Sequence, residues 1–191
     1  MTGAPHPMPG LWLTEVREAA VNYVRHGWPV RPAPLTFTAV SGFCDDEITD
    51  AEEALDVWTR APYPILLGCG SAVEAIEVPG LVSRNAIHSL RVAGLLGPII
   101  AAPFGTDYML ASAGQQRTVL EDRDLVGRQL AQGERLVLPP TAVDAPLHRW
   151  RISPTAVGWK LPNFSALQRE LAKSSLPRQS DPAVLARCGQ A

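Results

Sequence analysis

The order of helical and extended patterns along this 191-residue chain constrains its fold more than any other feature of the sequence. Apolar residues at helical spacing alternate with short apolar strands in the first half, and the second half is rich in strands. The predicted helices cover 11–26, 51–60 and about 81–95, and a last one follows Asn163. The predicted strands cover 28–30, 35–40, 65–67, 73–78, 99–102, 108–111, 136–138 and 150–152. This order is typical of an α+β fold, a mixed β-sheet with packed helices, and not of a doubly wound α/β fold.

Three of the predicted helices have candidate capping residues, the first of them Thr14 before Glu15 in the helix at 11–26. Asp50 precedes the second helix and Glu53 occupies its third position, which is the pattern of a capping box. We expect Leu55 and Trp58 on the apolar face of this helix. Asn163 is the expected N-cap of the last helix.

Length and composition bound the class of protein. We expect one domain over 11–174, with a flexible N-terminal arm at 1–10 and a flexible C-terminal tail at 175–191. The formal net charge of −2 excludes a strongly basic nucleic-acid coat, although not a local basic groove. The longest apolar run, 92–104, is too short and too interrupted by glycine and proline to span a bilayer. Three irregularly spaced cysteines without a CxxC pair, and an N-terminus without signal-peptide character, predict a cytoplasmic protein.

Several motifs follow one another along the chain in a recognisable order. They are AVNYVRHGWPVRP at 20–32, a helix carrying Trp58 before the turn GCGS at 68–71, EVP at 77–79, APFGTDY at 102–108, LVLPPT at 136–141 and HRW at 148–150. Over roughly residues 15–172 these segments resemble the N-terminal primase–polymerase (Prim-Pol) domain of the archaeo-eukaryotic primase type. The resemblance implies a primase-type fold and metal-dependent nucleotidyl transfer. In such chemistry, carboxylates hold divalent ions that activate the attacking hydroxyl and neutralise the phosphates.

The metal-binding positions of such domains are altered in this chain. Their Asp-x-Asp motif puts two carboxylates on one side of a strand, but here Glu77 is followed by Pro79, which has no side-chain oxygen. The third acid of the family falls at about Arg128, and Asp122 or Asp124 would replace it only with a register shift. We therefore expect Glu77 to be the remaining catalytic and metal-binding candidate. The expected cofactor is none, or at most weakly bound Mg²⁺ or Mn²⁺.

Four other residues are candidates for contacting a nucleotide or a nucleic acid. Tyr108 stands where the resemblance implies a histidine that contacts the incoming phosphates; it can form hydrogen bonds but carries no positive charge at neutral pH. Ser71 matches the serine of the family's Gly-x-x-x-Ser turn. Arg149 and Arg151 flank Trp150, and strand alternation predicts both arginines on one face of the strand, with the tryptophan on the other. The alternative for this group is a solvated rim around a buried tryptophan.

Three functional hypotheses remain open. The first, which we favour, is a Prim-Pol-like domain without polymerase activity that binds a nucleotide, a single-stranded nucleic acid or a protein partner in trans. The second is an active, metal-dependent DNA primase/polymerase with relocated ligands, namely Glu77 with Asp122 or Asp124. The third is a non-enzymatic interaction or scaffold protein with no nucleic-acid role, which the near-neutral charge favours. None of the three predicts a membrane partner.

Overall fold

The computed structural model describes residues 9–33, 46–113, 127–130, 132–141 and 148–175. The helices within these ranges are α1 (Pro9–Arg25), α2 (Ala51–Arg60), α3 (Gly80–Val92) and α4 (Phe164–Ser175). The strands are β1 (Val30–Pro32), β2 (Ile65–Gly68), β3 (Val73–Pro79), β4 (Ile99–Ala101), β5 (Thr106–Ser112), β6 (Arg128–Gln129), β7 (Arg135–Leu138) and β8 (Arg149–Ile152). The α+β class predicted from the sequence is confirmed. Among the described helices, none has the length and hydropathy needed to span a bilayer.

The strands form two antiparallel sheets, with the orders β1-β2-β7 and β6-β3-β5-β4-β8. This arrangement differs from the single mixed sheet that the sequence predicts. Helix α3 does connect two strands that run in the same direction, β3 and β4, but β5 lies between them and is antiparallel to both. Strand β5 follows β4 in the chain but lies between β3 and β4 in the sheet. The order of elements along the sequence does not reveal this insertion.

Apolar cores cover both faces of the five-stranded sheet. On one face, side chains from α1, α2 and the three-stranded sheet pack against Ala75, Ile100 and Leu110. On the other face, α3 and α4 pack through Leu90 and Leu167. Full burial of a leucine or isoleucine side chain stabilises the fold by about 1.5–3 kcal/mol. The five-stranded sheet is therefore the central layer, and ligands can reach it mainly at its strand ends and edges.

The capping signals at Asp50 and Asn163 are confirmed by side-chain contacts, whereas Thr14 lies inside α1, which begins at Pro9, and is not its N-cap. Asp50 Oδ1 accepts hydrogen bonds from the backbone N–H groups of Glu52 and Glu53, both at 2.9 Å. Asn163 Oδ1 accepts from the backbone N–H of Ala166 at 2.9 Å. These bonds satisfy N–H groups that have no partner within the first turn of a helix.

Some predicted elements differ from the structure. Leu55, which we expected on the apolar face of α2, is 48% exposed, because the core contacts of this helix centre on the neighbouring stripe that contains Trp58. Strand β1 begins two residues later than predicted, and the two-residue β6 is too short to show a periodic pattern. The predicted strand at 35–40, and most of the predicted terminal segments 1–10 and 175–191, lie outside the described residues.

Candidate functional site

Glu77 lies near the end of β3, between two partner strands. It is paired with Tyr108 of β5 on one side and with Arg128 of β6 on the other. Directly opposed residues of neighbouring antiparallel strands present their side chains on the same face, with Cβ atoms about 4.5–5.5 Å apart. The metal-binding candidate Glu77 is thus brought together with Tyr108 and Arg128, two of the positions that we predicted to be altered, in one row that we name the Arg128 row.

Arg128 is hydrogen-bonded to two carboxylates. Its Nε and Nη2 atoms donate to Glu77 Oε2 at 3.0 and 2.7 Å, and its Nη1 atom donates to Glu134 Oε1 at 2.8 Å. Glu134 directly precedes β7 of the three-stranded sheet, so Arg128 links the two sheets. The hydrogen bonds with Glu134 and then Glu77 raise the pKa of Arg128 above its ordinary value. Its guanidinium therefore stays charged at every physiological pH.

Gly127 allows β6 to approach β3 closely at this point. Its φ is +82°, and a Cβ placed there would lie 2.1 Å from the carbonyl oxygen of Glu77. A side chain cannot be accommodated at that distance, and glycine also tolerates the left-handed backbone. The glycine is therefore what lets the next residue, Arg128, reach Glu77.

Tyr108 contributes an uncharged hydroxyl to the Arg128 row. Its side chain is half-buried, and this burial, followed by the negative charge of Glu77, raises the pKa of its phenol above the ordinary value. The phenol is therefore protonated at neutral pH. It can donate a hydrogen bond, but it cannot neutralise the charge of a phosphate.

The described residues of the Arg128 row do not fit a pair of divalent metal ions, which require several converging oxygen ligands. Pro79, two residues beyond Glu77, ends β3 without a side-chain ligand. Glu74 is buried, and strand alternation puts it on the opposite face. Across the described ranges, no group of three or more His, Cys, Asp or Glu side chains is arranged to hold a metal ion. Asp122 and Asp124 lie outside those ranges.

Arg151 is bound to a buried carboxylate. Its Nε atom donates to Asp107 Oδ2 at 2.6 Å, and its Nη2 atom donates to Asp107 Oδ1 at 2.8 Å. The Asp107 side chain is 1% exposed. Two adjacent residues of β4 face Trp150 and Ile152, so Arg151 is the extra residue of a β-bulge. The arginine that we predicted to contact a nucleic acid is therefore held in an internal ion pair.

Arg149, the second arginine of β8, borders an apolar and aromatic groove, which we name the Arg149 groove. Its volume is about 210 Å³, and it is lined by Trp12, Pro139, Pro140, Thr141, His148 and Arg149. Burial lowers the pKa of His148 below its ordinary value, so its ring is uncharged at neutral pH and Arg149 supplies the positive charge. The groove thus has an aromatic residue and an arginine among its lining residues, the two residue types that bind the bases and phosphates of single-stranded nucleic acid. Sequence reasoning missed Trp12, because nothing local connects it with Arg149.

Ser71 lies in a different groove, at the end of β2, with a volume of about 420 Å³. Ser71 Oγ and Glu47 Oε2 are 3.5 Å apart, and Arg31 Nη2 donates to Glu47 Oε1 at 3.4 Å. Asp46 and Glu47 make this groove unfavourable for a phosphate. The described lining residues are Arg31, Asp46, Glu47, Cys69, Ser71, Gln132 and Gly133. The structure therefore does not bring Ser71 together with the other three candidates for nucleotide contact.

Cys69 is buried beside the Arg128 row. Its burial, followed by the charges of Glu134 and Glu74, raises the pKa of its thiol to about 12. A nucleophilic cysteine needs a lowered pKa, because the thiolate is the reactive form. Cys69 is therefore not a candidate for nucleophilic catalysis.

An aromatic cluster links α1 to β8 next to the Arg149 groove. The rings of Tyr23 and Trp28 are stacked with centroids 5.6 Å apart, and each lies 6.4 Å from the ring of Trp150. Trp159 meets Tyr23 and Trp28 edge-on at 6.0 and 5.4 Å. The Tyr23 hydroxyl donates to the carbonyl oxygen of Pro139, which fixes one wall of the groove to α1. Trp150 is thus engaged in packing and is not free to stack on a ligand.

These features define an α+β protein with a cross-sheet ion cluster and an aromatic groove that carries one arginine. Comparison of the chain with family models, with curated proteins and with solved structures gives no match. Its function is therefore inferred from the residues themselves.

Proposed function

We propose that this chain is a Prim-Pol-like domain that binds single-stranded nucleic acid without polymerising nucleotides. One observation supports the loss of catalysis. The guanidinium of Arg128 is bonded to both Glu77 and Glu134 at the position where the resemblance implies a third carboxylate. Arg128 thus supplies a positive charge to both carboxylates from within the chain, at the place where a divalent ion would otherwise supply it.

The same contact works against metal binding. A two-metal centre needs carboxylate oxygens that are available and that outnumber the nearby positive charges. Glu77 Oε2 already accepts two hydrogen bonds from Arg128. A divalent ion bound to Glu77 would stand beside a fixed guanidinium, and the two positive charges would repel each other.

The Arg149 groove supports the nucleic-acid part of the proposal. It combines Trp12 with Arg149, and none of its described lining residues is acidic. Single-stranded nucleic acid is bound by stacking of bases on aromatic rings, worth about 1–3 kcal/mol per base, and by contacts between phosphates and cationic side chains. The carboxylates of Glu77 and Glu134 make the Arg128 row the less favourable surface for phosphate.

Fluorescence anisotropy with a labelled, short single-stranded oligothymidylate tests the binding. We expect saturable binding that weakens as salt rises from about 50 to 200 mM, because phosphate contacts release counterions. Trp12→Ala and Arg149→Ala are each expected to weaken binding at least about fivefold, the factor that corresponds to 1 kcal/mol. Arg169→Ala, which removes an exposed arginine of α4 outside the groove, is the matched control. Absence of saturable binding, or an equal loss in Arg169→Ala, would overturn this part of the proposal.

Primer extension tests the loss of polymerase activity independently of oligonucleotide binding. We expect no nucleotide incorporation with either Mg²⁺ or Mn²⁺. Incorporation that disappears in a folded Glu77→Ala variant would instead establish the active enzyme, with Asp122 or Asp124 as further ligands. If neither incorporation nor oligonucleotide binding is found, the interaction-protein hypothesis is favoured.

A further inference from the structure

The solvent-facing side of α3 carries apolar and basic side chains. Leu81 is 65% exposed and Val92 is 76% exposed, and they lie on one stripe with His88, because residues four and seven apart share a helix face. The exposed Arg84 and Arg91, seven residues apart, lie together along one side of this stripe. The 13 residues of α3 include no aspartate or glutamate. These five residues, which we name the α3 face, form a cationic stripe with an exposed apolar group at each end.

Phe104 extends the apolar end of the α3 face. Its ring is almost fully exposed, and its φ of +63° is one that L side chains rarely adopt. Its turn lies against the start of α3, because the Gly105 carbonyl oxygen is 2.9 Å from where a Cβ on Gly80 would be. The strained backbone at Phe104 costs the isolated molecule stability, and the exposed ring gains no burial in return. Covering the ring in a contact would offset that cost.

The complementary charge is found on α2. Its exposed side chains include Glu52, Glu53 and Asp56, and its single arginine, Arg60, is already paired with Asp56. The exposed Leu55 lies at the edge of these acidic residues, in a groove whose described lining also includes Arg17, Glu18 and Arg25 of α1. We name this surface the α2 face. The side chains of α2 itself carry net negative charge, the counterpart of the arginines on the α3 face.

The two faces lie on opposite sides of one molecule, because α2 and α3 pack in the cores on opposite faces of the five-stranded sheet. They can meet only between molecules. We infer that the α3 face of one copy of this chain docks on the α2 face of a second copy, with Arg84 and Arg91 opposite Glu52 and Glu53. Such a head-to-tail contact leaves a free face at each end, so it builds chains or rings of copies. A contact between two α3 faces is disfavoured, because it would oppose arginine with arginine.

Sedimentation velocity at increasing protein concentration tests this inference. We expect the wild-type chain to form species larger than the monomer. These species should dissociate as salt rises from about 0.1 to 1 M, because the Debye length falls from about 10 to 3 Å. The variants Arg84→Glu/Arg91→Glu and Glu52→Arg/Glu53→Arg are each expected to stay monomeric at concentrations at which the wild type associates.

Mixing the two reversed variants separates this interface from any other. The acidic α3 face of one variant is complementary to the basic α2 face of the other, so the mixture should regain the assembly that neither variant forms alone. Arg169→Glu/Lys173→Glu changes the net charge equally on α4 and should associate like the wild type. A wild type that is monomeric at all concentrations would overturn the inference. So would association that persists in both reversed variants, or a mixture of folded variants that stays monomeric. None of the substituted residues lines the Arg149 groove, so oligonucleotide binding is expected to be unchanged.

Discussion

The ion pair between Arg151 and Asp107 allows a quantitative test of the structure. Arg151→Ala removes two donors from a carboxylate that is almost entirely buried, at distances of 2.6 and 2.8 Å. Asp107 lies against the start of α3, since its Oδ1 atom is 3.4 Å from where a Cβ on Gly80 would be. Its carboxylate has little space in which to turn towards solvent once the guanidinium is gone.

The expected loss of stability follows from this burial. Removing one partner of a buried ion pair costs about 3–5 kcal/mol, because the remaining charge is left uncompensated. The Arg151 side chain is itself 27% exposed, so water can reach the vacated space. We therefore expect the lower end of the range, about 3 kcal/mol, which corresponds to a fall in Tm of roughly 6–12 °C for a protein of this size.

Urea denaturation followed by far-UV circular dichroism measures this loss. Arg149→Ala removes an exposed arginine from the same strand and is expected to change the free energy of unfolding by less than about 0.5 kcal/mol. Arg151→Lys keeps the charge but not the bidentate geometry, and should fall between the two. A loss in Arg151→Ala no larger than that in Arg149→Ala would refute the buried-pair reasoning. Oligonucleotide binding should show the reverse order, with folded Arg151→Ala retaining affinity and Arg149→Ala losing it.

Three further predictions concern other positions. Gly127→Ala should destabilise the fold by at least about 2 kcal/mol in urea denaturation, because the new Cβ would meet the carbonyl of Glu77 on a strained backbone; an unchanged midpoint would contradict the close approach of β6. The lowered pKa of His148 means that the unfolded chain gains a proton first as pH falls through about 6.5, so stability should decline from about pH 7.5 to 5.5, and less steeply in His148→Gln. An equal pH dependence of stability in the wild type and in His148→Gln would contradict the burial of His148. Iodoacetamide at pH 8 should label Cys69 slowly in the folded chain and quickly in urea, as measured by peptide mass spectrometry. Rapid labelling of the folded chain would contradict its burial.

The parts of the fold that could be predicted are those determined by neighbouring residues. The starts of α2 and α4 follow from Asp50 and Asn163, because a capping side chain bonds backbone groups only two or three residues away. The motif order also gave Glu77 as the remaining carboxylate candidate and Tyr108 and Arg128 as altered positions. It did not reveal that they form one row, because strand pairing joins residues that are distant along the chain.

The unpredicted parts of the candidate site depend on contacts between distant segments. Glu134 completes the Arg128 row from the other sheet, and its residue type alone gave no sign of that role. Trp12 lines the same groove as Arg149 only because the start of α1 lies near the residues that follow β7 and near the start of β8. The partner of Arg151 depends on a β-bulge, which inserts a residue that simple alternation does not count.

The aromatic cluster gives the protein a spectroscopic reporter of its own packing. Three of the five tryptophans, Trp28, Trp150 and Trp159, lie within 6.4 Å of the ring of Tyr23 or of one another. Rings held so close couple their electronic transitions, so they should dominate the near-UV circular dichroism spectrum. Tyr23 and Trp28 belong to α1 and the segment after it, and Trp150 and Trp159 belong to β8 and the segment after it. These bands therefore persist only while α1 stays packed on the five-stranded sheet. A loosened state that keeps its helices would lose the near-UV signal while retaining the far-UV one. Circular dichroism alone would therefore report the separation of α1 from the five-stranded sheet.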